Sequence, residues 1–189
     1  MTDVDDIKKY LKKNLSEKRY KHSIDTADQA KALAKQYGAD EESAYLAGLV
    51  HDCAKEVKGD EAVRLMTEEY KIFPDSVSVH MPSLLHGPLG ACIARSKFGI
   101  LDEDVLTAIK YHTTGAANMS LLQRIIYIAD FTEPNRDFAD VEKLRKMSFK
   151  DINKAIVYGI DYTISKLIKN GQLIHPDTVN CRNDILMKI

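Results

Sequence analysis

Little in this sequence favours a β-sheet. Alternating apolar and polar runs are almost absent along its 189 residues, and a sheet protein needs several of them. Cysteine is scarce too: Cys53, Cys92 and Cys181 are odd in number, widely spaced and without a CxxC pair. That argues against a disulfide framework and against a structural zinc site. No apolar run approaches the length of a membrane span, and the opening MTDVDDIKKYLKKN is too charged for a secretory signal. A cytoplasmic protein that engages no membrane is therefore expected. Charge of one sign is also lacking, with 27 basic against 28 acidic residues and a net charge of −1. A chain that tracks a nucleic-acid backbone is strongly basic, so no nucleic-acid partner is expected, although a few well-placed Lys or Arg residues suffice for a small anion. No repeat, low-complexity segment or Pro/Gly/Ser linker divides the chain, and its length suits one domain over 1–189.

What is present is 44% hydrophobic and 29% charged residues, enough for both a core and a solvated surface. The patterning is helical nearly throughout. Ser16 reads as the cap of a helix with the stripe Tyr20, Ile24, Ala27, Leu33, Ala34 and Tyr37, stopped at Gly38. Asp40 opens the next, with Ala44, Ala47 and Val50 inward and His51-Asp52 near its C-terminal end. A short helix follows Asp60, carrying Val63 and Met66, and 73–83, with two prolines, reads as a loop. A helix spans about 87–98, with Pro88 in its first turn. Asp102 caps a segment bearing Val105, Leu106, Ile109 and His112, and Ser120 caps an apolar one that ends at Asp130. The last long helix covers about 149–170, with Ile152, Ile156, Ile160, Ile164 and Leu167 at helical spacing and Gly171 as its stop. The fold class is all-α.

The chemistry concentrates in LAGLVHDCAKE, residues 46–56. An apolar helix there delivers an adjacent His51-Asp52 pair, a nitrogen and oxygen donor set suited to a divalent first-row metal. Neighbouring helical positions point about 100° apart, so both reach one ion only beyond the helix end or against a second helix. RYKHSIDTA offers His22 on such a helix, and Asp130 follows the apolar run IIYIA. His22, His51, Asp52 and Asp130 thus come from three helices, a usual way for a bundle to build a metal site in its core.

The order His, then His-Asp, then Asp, from residue 22 to residue 130, resembles the signature of the HD phosphohydrolases. RYKHS, LLHGPLGA, IIYIADFTEPNR and LIHPDTVNCRN together look like the bacterial HD-type symmetrical bis(5′-nucleosyl)-tetraphosphatases, and this similarity covers almost the whole chain. The resemblance implies a helical bundle with its metal site between helices, a core over about 16–132, and a C-terminal helix and tail, 149–189, packed on it. It implies hydrolysis of diadenosine tetraphosphate to two ADP by metal-activated water, with iron as the favoured ion and manganese or another first-row metal as alternatives. His86 and His112 occupy intervals where such enzymes place phosphate contacts or ligands of a second metal; the phosphate role is preferred here. A Thr follows His112 where enzymes acting on cyclic dinucleotides usually have a second His, which weakens that reading.

The expected catalytic residues are Asp52, Asp130, Lys55, His86 and His112, and the expected substrate contacts are Lys55, His86, His112, Arg136, Ile174, His175 and Pro176. Lys55 lies at i+4 from His51, on the same face of a continuing helix. Arg136 either pairs with Asp137 or grips a phosphate through its guanidinium fork. His80, in the loop, has no assigned partner. The tail beginning at His175-Pro176 is read as folding back to line a nucleotide pocket. A nucleotide is the expected partner and a homodimer is left open. Three other readings compete: a nucleotidase or (deoxy)nucleoside triphosphate hydrolase on the same metal site, a catalytically silent nucleotide-binding regulatory module, and a structural helical bundle in which the motif is accidental.

Overall fold

A computed structural model describes residues 3–189, and among these residues there are helices and turns but no strand. Helix α1 (Val4–Asn14) is capped by Asp3 and buries Ile7 and Leu11. Helix α2 (Glu17–Tyr37) follows from Ser16 and stops at Gly38, whose φ of 69° is in the left-handed region that glycine reaches without a side-chain penalty. Helix α3 (Glu41–Val50) starts from Asp40, whose carboxylate accepts from the Ser43 backbone N–H at 2.6 Å. Six of its residues, Ala44 and Leu46 to Val50, are buried, as befits a helix enclosed by others rather than lying on a surface. Gly48 permits this: a Cβ there would stand 2.8 Å from the Ala27 Cα of α2.

Helix α4 (Gly59–Arg64) runs into a π-helical turn (Leu65–Glu69). The expected loop over 73–83 contains instead the short helix α5 (Ser76–His80) and a 3-10 turn (Pro82–Leu84). The reason is local: Asp75 accepts from the Val77 and Ser78 backbone N–H groups and so starts a helix. Helices α6 (His86–Phe98), α7 (Glu103–Tyr111) and α8 (Leu121–Thr132) follow, the last two capped by Asp102 and Ser120 as anticipated. Helix α9 (Val141–Ser148) was not foreseen, α10 (Ile152–Lys169) matches the long C-terminal helix, and α11 (Pro176–Leu186) places Pro176 in its first turn.

Helix α2 packs on α3 and α8, while α7 packs on α3, α6 and α8. Between them lie Leu33, Leu49, Leu89, Ile109, Ile125, Ile126 and Tyr127, all fully buried, each worth roughly 1.5–3 kcal/mol in burial. Helix α10 lies on α8, α9 and α11. The tail is held where the buried Cys181 meets Gly115 and where Asp184 accepts from the Asn118 N–H at 2.9 Å. No helix among the described residues is long and apolar enough to cross a membrane.

Candidate metal centre

His51 is the C-terminal cap of α3 and Asp52 opens the turn after it, so both leave the helix end together. His22 comes from the second turn of α2 and Asp130 from the last turn of α8. Their donor atoms converge. His22 Nε2 lies 2.9 Å from Asp130 Oδ1, 3.7 Å from Asp52 Oδ2 and 3.3 Å from His51 Nε2. His51 Nε2 lies 3.5 Å from Asp52 Oδ2 and 3.7 Å from Asp130 Oδ1. Ligands about 2.0–2.2 Å from a shared ion are about 3.0 Å apart at right angles and about 3.4 Å apart at tetrahedral angles. The observed separations fall around those values.

The same carboxylate reaches a second group. Asp52 Oδ1 stands 3.1 Å from His86 Nε2, 3.5 Å from His112 Nε2 and 3.8 Å from Lys55 Nζ. His86 and His112 face each other at 2.9 Å, Nε2 to Nε2, and Lys55 Nζ is 3.0 Å from His86 Nε2. Lys55 arrives from a turn, not from the continued helix expected for residues 51–55, because α3 stops at Val50. The backbones of α6 and α7 come close enough to pair these histidines since Gly87 faces the Lys110 carbonyl, where a Cβ would stand 2.5 Å away.

Three of the histidines have their tautomer set by the main chain. His51, His86 and His112 direct Nδ1 at the carbonyls of Gly48, Ser83 and Ile109, at 2.6, 2.6 and 2.7 Å. A carbonyl only accepts, so each Nδ1 carries a proton, and a ring that is neutral turns an Nε2 lone pair inward. Burial pushes His51 down to about 3 and also lowers His86, which keeps both neutral. His22 differs. Burial works against its charge, but hydrogen bonds to Asp130 and Glu133 outweigh it and raise its pKa; a cation must displace that proton. Burial would likewise raise the Asp52 carboxyl, yet His51, His112 and His86 hold it well below the usual range. Arg136 and His22 do the same for Asp130.

Inward lone pairs and ionised carboxylates, buried and within 4 Å of one another, repel unless a cation lies among them. Asp52 Oδ1 is fully buried without a hydrogen-bond donor. His22, His51 and Asp130 form one group able to hold an ion, and His51, Asp52 and His112 form another. The side chains fit a divalent metal.

Some neighbours differ from expectation and some were not foreseen. Arg136 pairs with Asp130, through its Oδ1 and at 2.6 Å through its carbonyl, and not with Asp137. Glu133 accepts from His22 Nδ1 at 3.1 Å while buried, and Arg19 donates to Asp52 Oδ2 at 2.7 Å. Both lie three residues from a proposed ligand inside quoted motifs, RYKHS and ADFTEPNR, so i,i+3 spacing was their available signal. Thr113 Oγ1, 3.2 Å from His86 Nε2 and 3.1 Å from His112 Nε2, was also missed as a contact. His80 is exposed, bonded only within α5 to the Ser76 carbonyl.

Two cavities meet the cluster. A cleft of about 1070 Å³ is lined by His22, Asp130 and Arg136 at one end of it, and a smaller one of about 220 Å³ by Thr113, Tyr111, Asp177 and His175 at the other. His175 also meets Asp75 Oδ2 at 3.2 Å. Ile174 and Pro176 do not line either cavity.

Comparison with known proteins agrees with this geometry. Residues 19–135 match the sequence model of the HD domain family. The chain is similar to "Bis(5′-nucleosyl)-tetraphosphatase, symmetrical" of Halalkalibacterium halodurans, 44% identical with 94% of each chain covered. It is also similar to the Bacillus subtilis protein of the same name, 39% identical with 89% of each covered. Among solved structures, a predicted HD superfamily hydrolase involved in NAD metabolism from Clostridium acetobutylicum superposes with a TM-score of 0.97, at 45% identity and over the full length of both chains.

Proposed function

Because this chain belongs to the HD domain family, we propose that it hydrolyses diadenosine tetraphosphate symmetrically to two ADP. The observation that carries the proposal is the convergence of His22, His51, Asp52 and Asp130 at ligand-like spacing, in a chain so similar to proteins named for that reaction. The chain is taken as one domain over 1–189, with a core at about 16–132 and residues 149–189 packed on it.

The ion these four residues would hold is iron, with manganese or another first-row metal able to substitute on nitrogen and oxygen donors. Bound there, a divalent cation lowers the pKa of water toward neutrality and draws charge from a phosphoryl oxygen. Asp52 and Asp130 orient the attacking water. Its oxygen bonds to one inner phosphorus as the bond from that phosphorus to the bridging oxygen breaks, and the electron pair leaves on the departing ADP. Lys55 and Arg136 offset charge gathering on the phosphoryl oxygens. His175, with Ile174 and Pro176 beside it, borders the nucleotide held at the smaller cavity.

His86 and His112 admit two roles. As imidazolium ions they would donate to phosphate. Burial of His86, which lowers its pKa, favours the second reading, a second divalent cation near them, because a neutral Nε2 accepts and cannot donate. Metal analysis separates these: one ion per chain supports the phosphate role and two support the second site. Chromatography of the products tests the reaction itself. ADP alone is expected; AMP with ATP would refute symmetrical cleavage. Turnover on nucleoside monophosphates or triphosphates in place of the dinucleotide would favour a nucleotidase or triphosphate hydrolase. Nucleotide binding without any hydrolysis would favour a regulatory module.

A further inference from the structure

A symmetrical dinucleotide has two identical nucleoside halves, yet the tail-side cavity, at about 220 Å³, is smaller than the roughly 300 Å³ at which small-molecule pockets usually begin. It can border one half at most. The cluster, however, has two ends. Thr113, hydrogen-bonded to His86 and His112, opens onto the tail side, whereas His22, Asp130 and Arg136 open onto the larger cleft between the start of α2, the 133–138 loop and the end of α10. A polyphosphate crossing the cluster therefore emerges into that cleft.

The cleft is built for what would emerge. Lys18, Lys21 and Lys166 line it, are exposed, and form no salt bridge among the described residues. Of the four acidic residues at the cleft, Asp130 and Glu133 are turned to His22 and Arg136, which leaves Glu17 and Asp137 beside the three lysines. Phe138 and Tyr162 line the same cleft, with ring centroids 4.9 Å apart at 32°, both only half-buried. Partly exposed aromatic rings and cations lining one cleft can serve a nucleotide, the base against a ring and the phosphates neutralised. An apolar ligand would leave the lysines without purpose, and a bare phosphate the rings.

We propose that this cleft is a second nucleotide subsite, which holds the nucleoside diphosphate half of the substrate that the tail side does not, with Lys18, Lys21 and Lys166 on its phosphates and Phe138 and Tyr162 against its base. The inference rests on the dinucleotide reaction proposed above. Two subsites flanking one reaction centre also explain why the cut falls at the middle of the phosphate chain.

The test compares KM for diadenosine tetraphosphate in the metal-loaded full-length chain and in Lys18→Glu/Lys166→Glu, two exposed positions where charge reversal leaves the core untouched. Lys12→Glu/Lys13→Glu, exposed on α1 and outside both cavities, controls for the general change in charge. The expected result is a rise in KM of fivefold or more for the cleft variant beyond any rise in the control. A smaller excess, with the wild type active, overturns the subsite and leaves the reaction standing. A wild type that forms no ADP from the dinucleotide overturns the reaction, and the subsite with it.

Discussion

His22 and Glu133 are separated by 111 positions in the chain and meet at 3.1 Å, Nδ1 to Oε1, with both side chains buried. The carboxylate accepts a hydrogen bond from Nδ1–H and so turns Nε2 toward Asp130 and His51. Glu133 itself is held by the backbone N–H of Asn135 at 2.6 Å. It is thus a positioning residue, and outer carboxylates of this kind set the tautomer and basicity of a ligand histidine. Glu133→Gln is expected to weaken metal affinity roughly 10–100-fold with the helical circular dichroism unchanged. Metal competition against a chromophoric chelator reads this; wild-type affinity in the variant would show that Glu133 does not orient His22.

Metal removal bears on stability as well as activity. An ion at a concentration near 100 times its Kd stabilises the folded chain by about 2.7 kcal/mol, which for a chain of this size corresponds to about 5–10 °C in Tm. Chelation should lower the melting temperature by about that amount and stop ADP formation, and ferrous iron should restore both. His51→Ala should respond to neither treatment. A wild type whose melting curve ignores the chelator would count against the centre.

Gly48 sets the distance between the helix carrying His22 and the helix ending at His51. A Cβ at this position would come within 2.8 Å of the Ala27 backbone, which only a shift of α2 against α3 relieves. Gly48→Ala should destabilise the fold by about 1–3 kcal/mol, the usual cost of overpacking, and reduce the bound metal. Urea denaturation and metal analysis measure the two effects. Unchanged values would mean that the helices part without consequence for the site.

The thiols should differ in reactivity. Burial pushes Cys53 up to about 12 and Cys181 up to about 11, while Cys92 is the half-exposed one. The thiolate is the reactive form, so a disulfide reagent at pH 8 should modify at most one thiol per native chain. In guanidinium all three should react. Rapid modification of two or more in the native state would contradict the packing of the turn after α3 against Gly90 of α6 or of α11 against Gly115.

Acid should loosen the tail through Asp75. Burial alone would raise this carboxyl, but hydrogen bonds from Ser78 and the contact with His175 hold it well below the usual range. A folded-state pKa depressed below an unfolded value of about 3.9 contributes stability fully present above that pH and lost as pH falls through the folded pKa. The difference in Tm between wild type and Asp75→Asn should therefore hold from neutrality to about pH 4 and shrink below it. A difference that is constant down to the acid limit would remove Asp75 as its source.

Much of the fold was legible because its signals are local. Ser16, Asp40, Asp102 and Ser120 stand where the helices start, and Gly38 where one stops. Helix α5 escaped notice because Pro74 and Pro82 suggest a break, while the capping role of Asp75 depends on a single turn. Helix α9 lies in a charged stretch, VEKLRKMS, with few apolar residues to declare a face. For the site, His51-Asp52 was legible because a polar pair closing an apolar helix conflicts with burial unless something compensates it. Glu133 and Arg19 were less so: each stands three residues from a proposed ligand, but among the 55 charged residues of the chain, 27 of them basic, that spacing alone carries no mark of direction.

Residue types and their spacing along single helices were thus determined by the sequence itself: which segments coil, where they stop, and which donors end them. Only the tertiary structure decided that Asp52 divides its two oxygens between His22 with His51 and His86 with His112, and that Arg136 turns to Asp130 rather than to its neighbour Asp137. Local signals act within a turn or two, whereas a buried charge is placed by whichever partners the packing of distant helices brings within reach.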